Sequence, residues 1–243
     1  GSDYYIAGTT SSNDYGFEDS STIKTDGFIS KLNANGNISF IKTLNDYKNS
    51  NERLISMVYL TDNSFVTGSI TDKWDGDQVI YLRKYDLDAN TIFDSDNKPL
   101  IVFYTDLGQY LVQEHDIISN MYASGNTFSY ATGIAYTNSE WCGLSITQFN
   151  NNMKTDFIRR KWFGDDSYPT SFIPFDIKPI PDKGFVMVGK FTHSDSSFVC
   201  FIDSLNNWKL ITNDVLSVYN SVLIANDSSI VISGYYKTAL NQQ

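Results

Sequence analysis

Short apolar runs, each closed by a polar or glycine-bearing turn, follow one another along the whole chain, and no long window carries the 3.6-residue period of a helix. Five of these runs share an ending. They read Tyr5-Ile6-Ala7-Gly8-Thr9, Phe65-Val66-Thr67-Gly68-Ser69, Tyr130-Ala131-Thr132-Gly133-Ile134, Val186-Met187-Val188-Gly189-Lys190 and Val231-Ile232-Ser233-Gly234-Tyr235. Their glycines lie 45 to 65 residues apart, an interval that fits stacked supersecondary units. A glycine inside a strand marks a place where another backbone comes close.

Between these runs the order of elements repeats. After the first glycine strand comes a long polar stretch, then Phe28–Asn33, the Asn-Gly turn at Asn35-Gly36, Ile38–Leu44, a polar link and Leu54–Leu60. The second set has Val79–Asp86, Leu100–Thr105 and Asp116–Ala123; the third has Cys142–Asn150, Phe157–Phe163 and Phe175–Pro181. The fourth has Phe198–Leu205, Trp208–Thr212 and Val218–Ala225, and the fifth glycine strand follows. Pro169, Pro174, Pro179 and Pro181 crowd the link and strand that end the third set, which weakens the strand reading there.

The pattern therefore predicts an all-β chain. Four strands per unit, repeated along the chain, describe a β-propeller of four-stranded antiparallel blades. Strands such as Phe185–Val188 and Val222–Ile224 are apolar at every position, as expected for sheets covered on both faces by neighbours. The count is four complete sets plus one strand. Two glycine strands would compete for one slot in a closed four-bladed ring, so the expectation is a five-bladed propeller or part of a larger one. Residues 1–243 are read as one domain, with room left for a longer parent chain.

The segment Asp26-Gly27-Phe28-Ile29-Ser30-Lys31-Leu32-Asn33-Ala34-Asn35-Gly36-Asn37-Ile38 resembles the bacterial β-propeller repeat of the SBBP type, with its aspartate, apolar strand, Lys-Leu-Asn and Asn-Gly turn. Tyr5-Ile6-Ala7-Gly8-Thr9-Thr10 resembles it again. Elsewhere Lys84-Tyr85-Asp86, Gln148-Phe149-Asn150 and Ser204-Leu205-Asn206 keep the outline. The resemblance implies a propeller, extracellular or attached to a cell surface, and it brings no catalytic residues.

Composition narrows the function classes. Eighteen basic against 28 acidic residues give a net charge of −10, with no basic stripe of the kind that binds nucleic acid. The same balance disfavours docking on anionic lipid, and no apolar run is long enough to enter a membrane as a helix. Cys142 and Cys200 sit at different offsets in their repeats and read as two small buried hydrophobes rather than a bridge.

The topology sorts the loops into two sets. Turns such as Asp62-Asn63, Gly125-Asn126 and Asn226-Asp227 are short. The loops after each glycine strand and the links before each set's last strand are long, and all belong at the opposite end. They carry Tyr15 and Phe17; Trp74, Asp75 and Asp77; Tyr110 and His115; Asp166 and Tyr168; and His193. Function commonly sits on such loops. Aromatic and acidic side chains together suit a protein-recognition surface. They also suit carbohydrate, with rings stacking on sugar faces and carboxylates taking hydroxyl hydrogen bonds, while a plain solvated rim is the third possibility.

Catalysis has less support. Glycoside hydrolysis needs two carboxylates held about 5–10 Å apart, and the sequence pairs none of its acids. His193-Ser194-Asp195 are sequence neighbours, unlike a catalytic triad, and two isolated histidines do not make a zinc site. Asp72–Asp77 and Asp94–Asn97 offer clustered oxygens, which leaves calcium open, without the spacing of a calcium loop. The chain thus reads as a recognition or scaffold module binding a protein partner through its long loops. Carbohydrate binding is the alternative, and a glycoside-active enzyme ranks third.

Overall fold

A computed structural model describes residues 3–11, 25–44, 51–72, 78–104, 119–135, 142–163, 172–191, 196–213 and 217–236. Among these residues the chain is all-β. The strands are β1 (Tyr4–Thr10), β2 (Asp26–Leu32), β3 (Ile38–Leu44), β4 (Glu52–Leu60), β5 (Ser64–Asp72), β6 (Gln78–Asp86), β7 (Ile101–Tyr104), β8 (Tyr122–Ser124) and β9 (Thr127–Ala135). They continue with β10 (Cys142–Asn150), β11 (Thr155–Phe163), β12 (Phe172–Ile180), β13 (Gly184–Phe191), β14 (Ser197–Asp203), β15 (Trp208–Asn213), β16 (Ser217–Ile224) and β17 (Ile230–Tyr236). Each falls on or overlaps a run expected from the sequence. The described residues form two compact units, Gly1–Asp106 with Asn151–Met153, and Leu107–Asn150 with Lys154–Gln243.

All sheets are antiparallel meanders. The first unit holds β1-β2-β3 and β4-β5-β6-β7; the second holds β8-β9-β10-β11, β12-β13-β14-β15 and β16-β17. The grouping differs in phase from the expected one. Four of the five glycine strands, β5, β9, β13 and β17, are the second strand of their sheet, not the first, because the short turn before each ties it to the preceding strand (β4 to β5, β12 to β13), while β1 stands first in its sheet. The long polar links fall between sheets. The described strands therefore make three four-stranded sheets, a three-stranded one at the start and a two-stranded one at the end. We call β4, β8, β12 and β16 the leading strands.

The leading strands explain part of the glycine recurrence. β4, β12 and β16 each carry a bulge, at Ile55, Phe175 and Asn220. The extra residue pushes a backbone carbonyl toward the glycine strand. A Cβ built on Gly189 would lie 2.1 Å from the Ile173 carbonyl oxygen, and one on Gly234 would lie 2.1 Å from that of Val218. Gly8 holds the same register on β1. Gly68 and Gly133 do not: Ser69 and Thr132 occupy the equivalent positions, one place after and one place before. β12 is an edge strand, and Pro174 sits beside its bulge, so the prolines are accommodated without a lost ladder bond at the sheet centre.

The hairpins β2–β3, β6–β7 and β14–β15, each closing the last two strands of its sheet, use one side-chain device. Asn33 Oδ1 accepts from the backbone N–H groups of Asn35 and Asn37. Asp86 does the same for Asp88 and Asn90, and Asp203 for Leu205 and Asn207. The fourth residue of each turn is left-handed, at Gly36 (φ 80°), Ala89 (φ 58°) and Asn206 (φ 67°). Asp94, in the β6–β7 connection, builds the same turn with Asp96 and Lys98. Its carboxylate is thus engaged in shaping a hairpin.

These bonds give the fold an acid limb. The Asn207 side chain, followed by the backbone N–H groups of Asn207 and Leu205, holds Asp203 below the usual carboxylate value. At Asp86 burial opposes ionisation, but bonds from Asn90 and Asp88 outweigh it. The Ser229 hydroxyl and N–H lower Asp227. Folded carboxyls thus bind protons less tightly than unfolded ones. Their contribution is complete above the unfolded value of about pH 4 and is lost as pH falls through the lower folded values. The urea midpoint is expected to hold level from about pH 7 to 5 and drop below about pH 4. A midpoint unchanged down to about pH 2.5 would contradict this.

The cores lie between successive sheets. In the first unit Ile29 and Leu44 pack with Leu54, Phe65, Tyr85 and Ala89. In the second, Leu144 and Ile146 meet Phe172, Ile177, Met187 and Phe198 on one face of the β12–β15 sheet. Val186, Val188 and Val199 on its other face meet Val222. Both faces are covered, which is why this sheet reads as apolar throughout. Asp176 is buried here at 1% exposure. It accepts bonds from the Ser221 hydroxyl at 2.8 Å and Val222 N–H at 3.0 Å, and Lys178 Nζ lies 2.7 Å away.

Cys200 is free and buried in the second unit's core with Leu144, Phe172 and Phe198, and desolvation pushes its thiol up to about 12. The side chain of Cys142 lies outside the description. In the native chain at neutral pH, Cys200 is expected to resist a thiol reagent and to react once urea unfolds it. Mass spectrometry of the labelled peptides checks this, and rapid native labelling at Cys200 would count against the packing.

Candidate functional site

All ten residues singled out from the sequence lie outside the described residues: Tyr15, Phe17, Trp74, Asp75, Asp77, Tyr110, His115, Asp166, Tyr168 and His193. The described strand ends define where their segments are anchored. Thr10 faces Asp26 in the register, Asp72 faces Gln78, Ala135 faces Cys142 and Phe172 faces Phe191. In the sheets that bear them, the segments carrying these residues leave from one end, and the other end is closed by short turns apart from the longer β6–β7 connection.

In the first unit, neighbouring sheets are tied together at this end. Leu54 N–H donates to Thr9 Oγ1 at 3.0 Å and Glu52 N–H to the Thr25 carbonyl at 2.7 Å, while on the β4–β7 sheet itself the Thr71 hydroxyl donates to the Asn51 carbonyl at 3.2 Å. The segments carrying Tyr15 and Phe17, and Trp74, Asp75 and Asp77, therefore start from adjoining strand ends. In the second unit, the segments carrying Asp166 and Tyr168, and His193, start from the directly paired Phe172 and Phe191. Tyr110 and His115 belong to the segment that precedes Ser119.

Sequence reasoning missed the roots of these loops. Asp26 and Glu52 are both buried at the loop end of the first unit, at 8% and 3% exposure. A Cβ on Gly27 would lie 3.1 Å from Glu52 Oε1, so the glycine leaves room for that carboxylate. The aspartate of the opening repeat was the one signal available. In the second unit the equivalent end is held by hydroxyls: Ser197 Oγ donates to the Ser217 carbonyl and accepts from Tyr219 N–H at 3.1 Å.

The opposite ends are chemically quiet. Their turn N–H groups are consumed by the Asn and Asp side chains, and the longer β6–β7 connection pairs with itself through Tyr85 with Thr91 and Phe93 with Pro99. Among the described residues no three His, Cys, Asp or Glu side chains gather as metal ligands, and no helix is long and apolar enough to cross a membrane. No protein-family profile matches the chain, and no curated protein matches it either.

Proposed function

We propose that the sheets are blades of a β-propeller and that the protein is a non-enzymatic recognition or scaffold module, exposed on a cell surface or secreted, which binds a protein partner through its loop end. The observation that carries this is the asymmetry of the sheets: long segments rich in aromatic and acidic residues at one end, saturated short turns at the other. Bulged leading strands, apolar faces on both sides of the β12–β15 sheet and the SBBP-like repeat support the blade reading. Tyr15, Phe17, Trp74, Tyr110 and Tyr168 would serve as anchors, since buried aromatic residues dominate protein-binding energetics. Asp75, Asp77, Asp166, His115 and His193 would form the polar surround.

A glycan panel separates this from the carbohydrate alternative. The chain is expected to be silent across it. Specific binding that Trp74→Ala abolishes at unchanged thermal stability would replace the proposed partner class with a sugar.

A further inference from the structure

We propose that Asn35 is a site of spontaneous deamidation, and that the side chain of Asn33 controls it by locking the turn in which Asn35 sits. The proposal rests on the β2–β3 hairpin alone and stands apart from the loop-end reading. Asn35-Gly36 is the one Asn-Gly pair in the sequence. Both residues are exposed. Gly36 has a φ of 80°, and nothing lies within 4 Å of where its Cβ would be. No side chain therefore hinders the approach of the Gly36 nitrogen to the Asn35 amide.

The reaction needs only water. The Gly36 backbone nitrogen gives its proton to solvent base and attacks Asn35 Cγ. The Cγ–Nδ2 bond breaks, Nδ2 takes a proton back from solvent and leaves as ammonia, and a cyclic imide joins the two residues. Water then opens the imide at either carbonyl. One product is aspartate at position 35. The other is isoaspartate, in which the main chain runs through Cγ and is longer by one methylene. Both add a negative charge to the turn.

The turn withholds the nucleophile. Gly36 N–H donates to the Asn33 carbonyl at 2.9 Å, a bond that has to break before the nitrogen can attack. Asn33 fixes this arrangement from both sides. Its Oδ1 accepts from Asn35 N–H at 3.0 Å and Asn37 N–H at 3.1 Å, and its own N–H donates to the Asn37 carbonyl at 2.9 Å. Attack therefore proceeds from the opened turn, at a rate scaled by the fraction open. The other two hairpins share the lock without the target. Asp86 spans Asp88-Ala89 and Asp203 spans Leu205-Asn206, and neither pair sets an Asn before a Gly.

The test holds the folded chain at mildly alkaline pH beside a synthetic peptide of residues 31–39. Peptide mapping with mass spectrometry follows position 35, since the isoaspartate and aspartate forms elute apart. The folded chain is expected to convert there about tenfold or more slowly than the peptide. Asn33→Ala is expected to remove most of that difference. Asn33→Asp, which keeps the acceptor that Asp86 and Asp203 use, is expected to retain it. Conversion of the folded chain at the peptide's rate would overturn the proposal, as would Asn33→Ala as slow as the wild type or Asn33→Asp as fast as the peptide. Deamidation at other described asparagines with none at position 35 would overturn it too. If Asn33→Ala does not fold, the wild type and Asn33→Asp against the peptide decide.

Discussion

Replacing Asp176 by alanine is expected to destabilise the second unit by about 3–5 kcal/mol, the usual consequence of removing one partner from a buried, hydrogen-bonded charged group. Asp176 lies just after the bulge of β12, and its carboxylate reaches the next sheet through Ser221 and Val222 N–H while Lys178 and Ile177 N–H complete its shell. Alanine would strand the buried Val222 and Ile177 N–H groups in an apolar setting, where each lost bond carries its own desolvation cost. Lys178 is better solvated and loses less. Urea denaturation followed by tryptophan fluorescence measures the change. A loss below about 1 kcal/mol would mean that the carboxylate is not the tie between β12 and β16 that the geometry describes.

Gly189→Ala is expected to cost about 3 kcal/mol or more, at the upper end of overpacking effects. Its Cβ would stand 2.1 Å from the Ile173 carbonyl oxygen and 2.8 Å from both Phe198 Cζ and Pro174 Cα, and the carbonyl belongs to backbone that cannot swing away. The comparison that isolates the cause is Gly8→Ala, in the same register on β1. There the added methyl meets only the edge of the Phe28 ring. The free chain is expected to tolerate that change within about 1 kcal/mol, since a small ring shift relieves the contact and alanine suits a strand better than glycine. Equal losses at both positions would show that the bulge is not what the glycine serves.

These two residues also show how far the sequence can be read. Strands announce themselves by apolar runs and turn chemistry: Ile38–Leu44 and Cys142–Asn150 have the expected limits to the residue. The sheet phase does not, because it depends on which turns are tight enough to pair their flanking strands. Gly189 and Gly234 face bulges, whereas Gly68 and Gly133 sit one position off, with Ser69 and Thr132 in their place. A glycine pattern cannot show that offset, since it is defined by pairing and not by spacing. Asp176 looks like any strand acid, its partners lying 45 and 46 residues further on. Likewise, the burial of Glu52 follows from Gly27 and the neighbouring strands, not from its own surroundings in the chain. For the candidate site, the sequence supplied the ten side chains and the expectation of a common end for their segments. The segments that carry them lie outside the described residues.

The most direct test of loop-end recognition is site-specific photo-crosslinking. A photoreactive residue is placed at Trp74 or Tyr168 on the loop segments, and at Asp88 or Leu205 on exposed short turns, and each variant is exposed to the envelope and secreted proteins of the source cells. The loop positions are expected to capture the same protein and the turn positions nothing. Capture confined to Asp88 or Leu205, or no adduct from any position, would contradict recognition through the loop end.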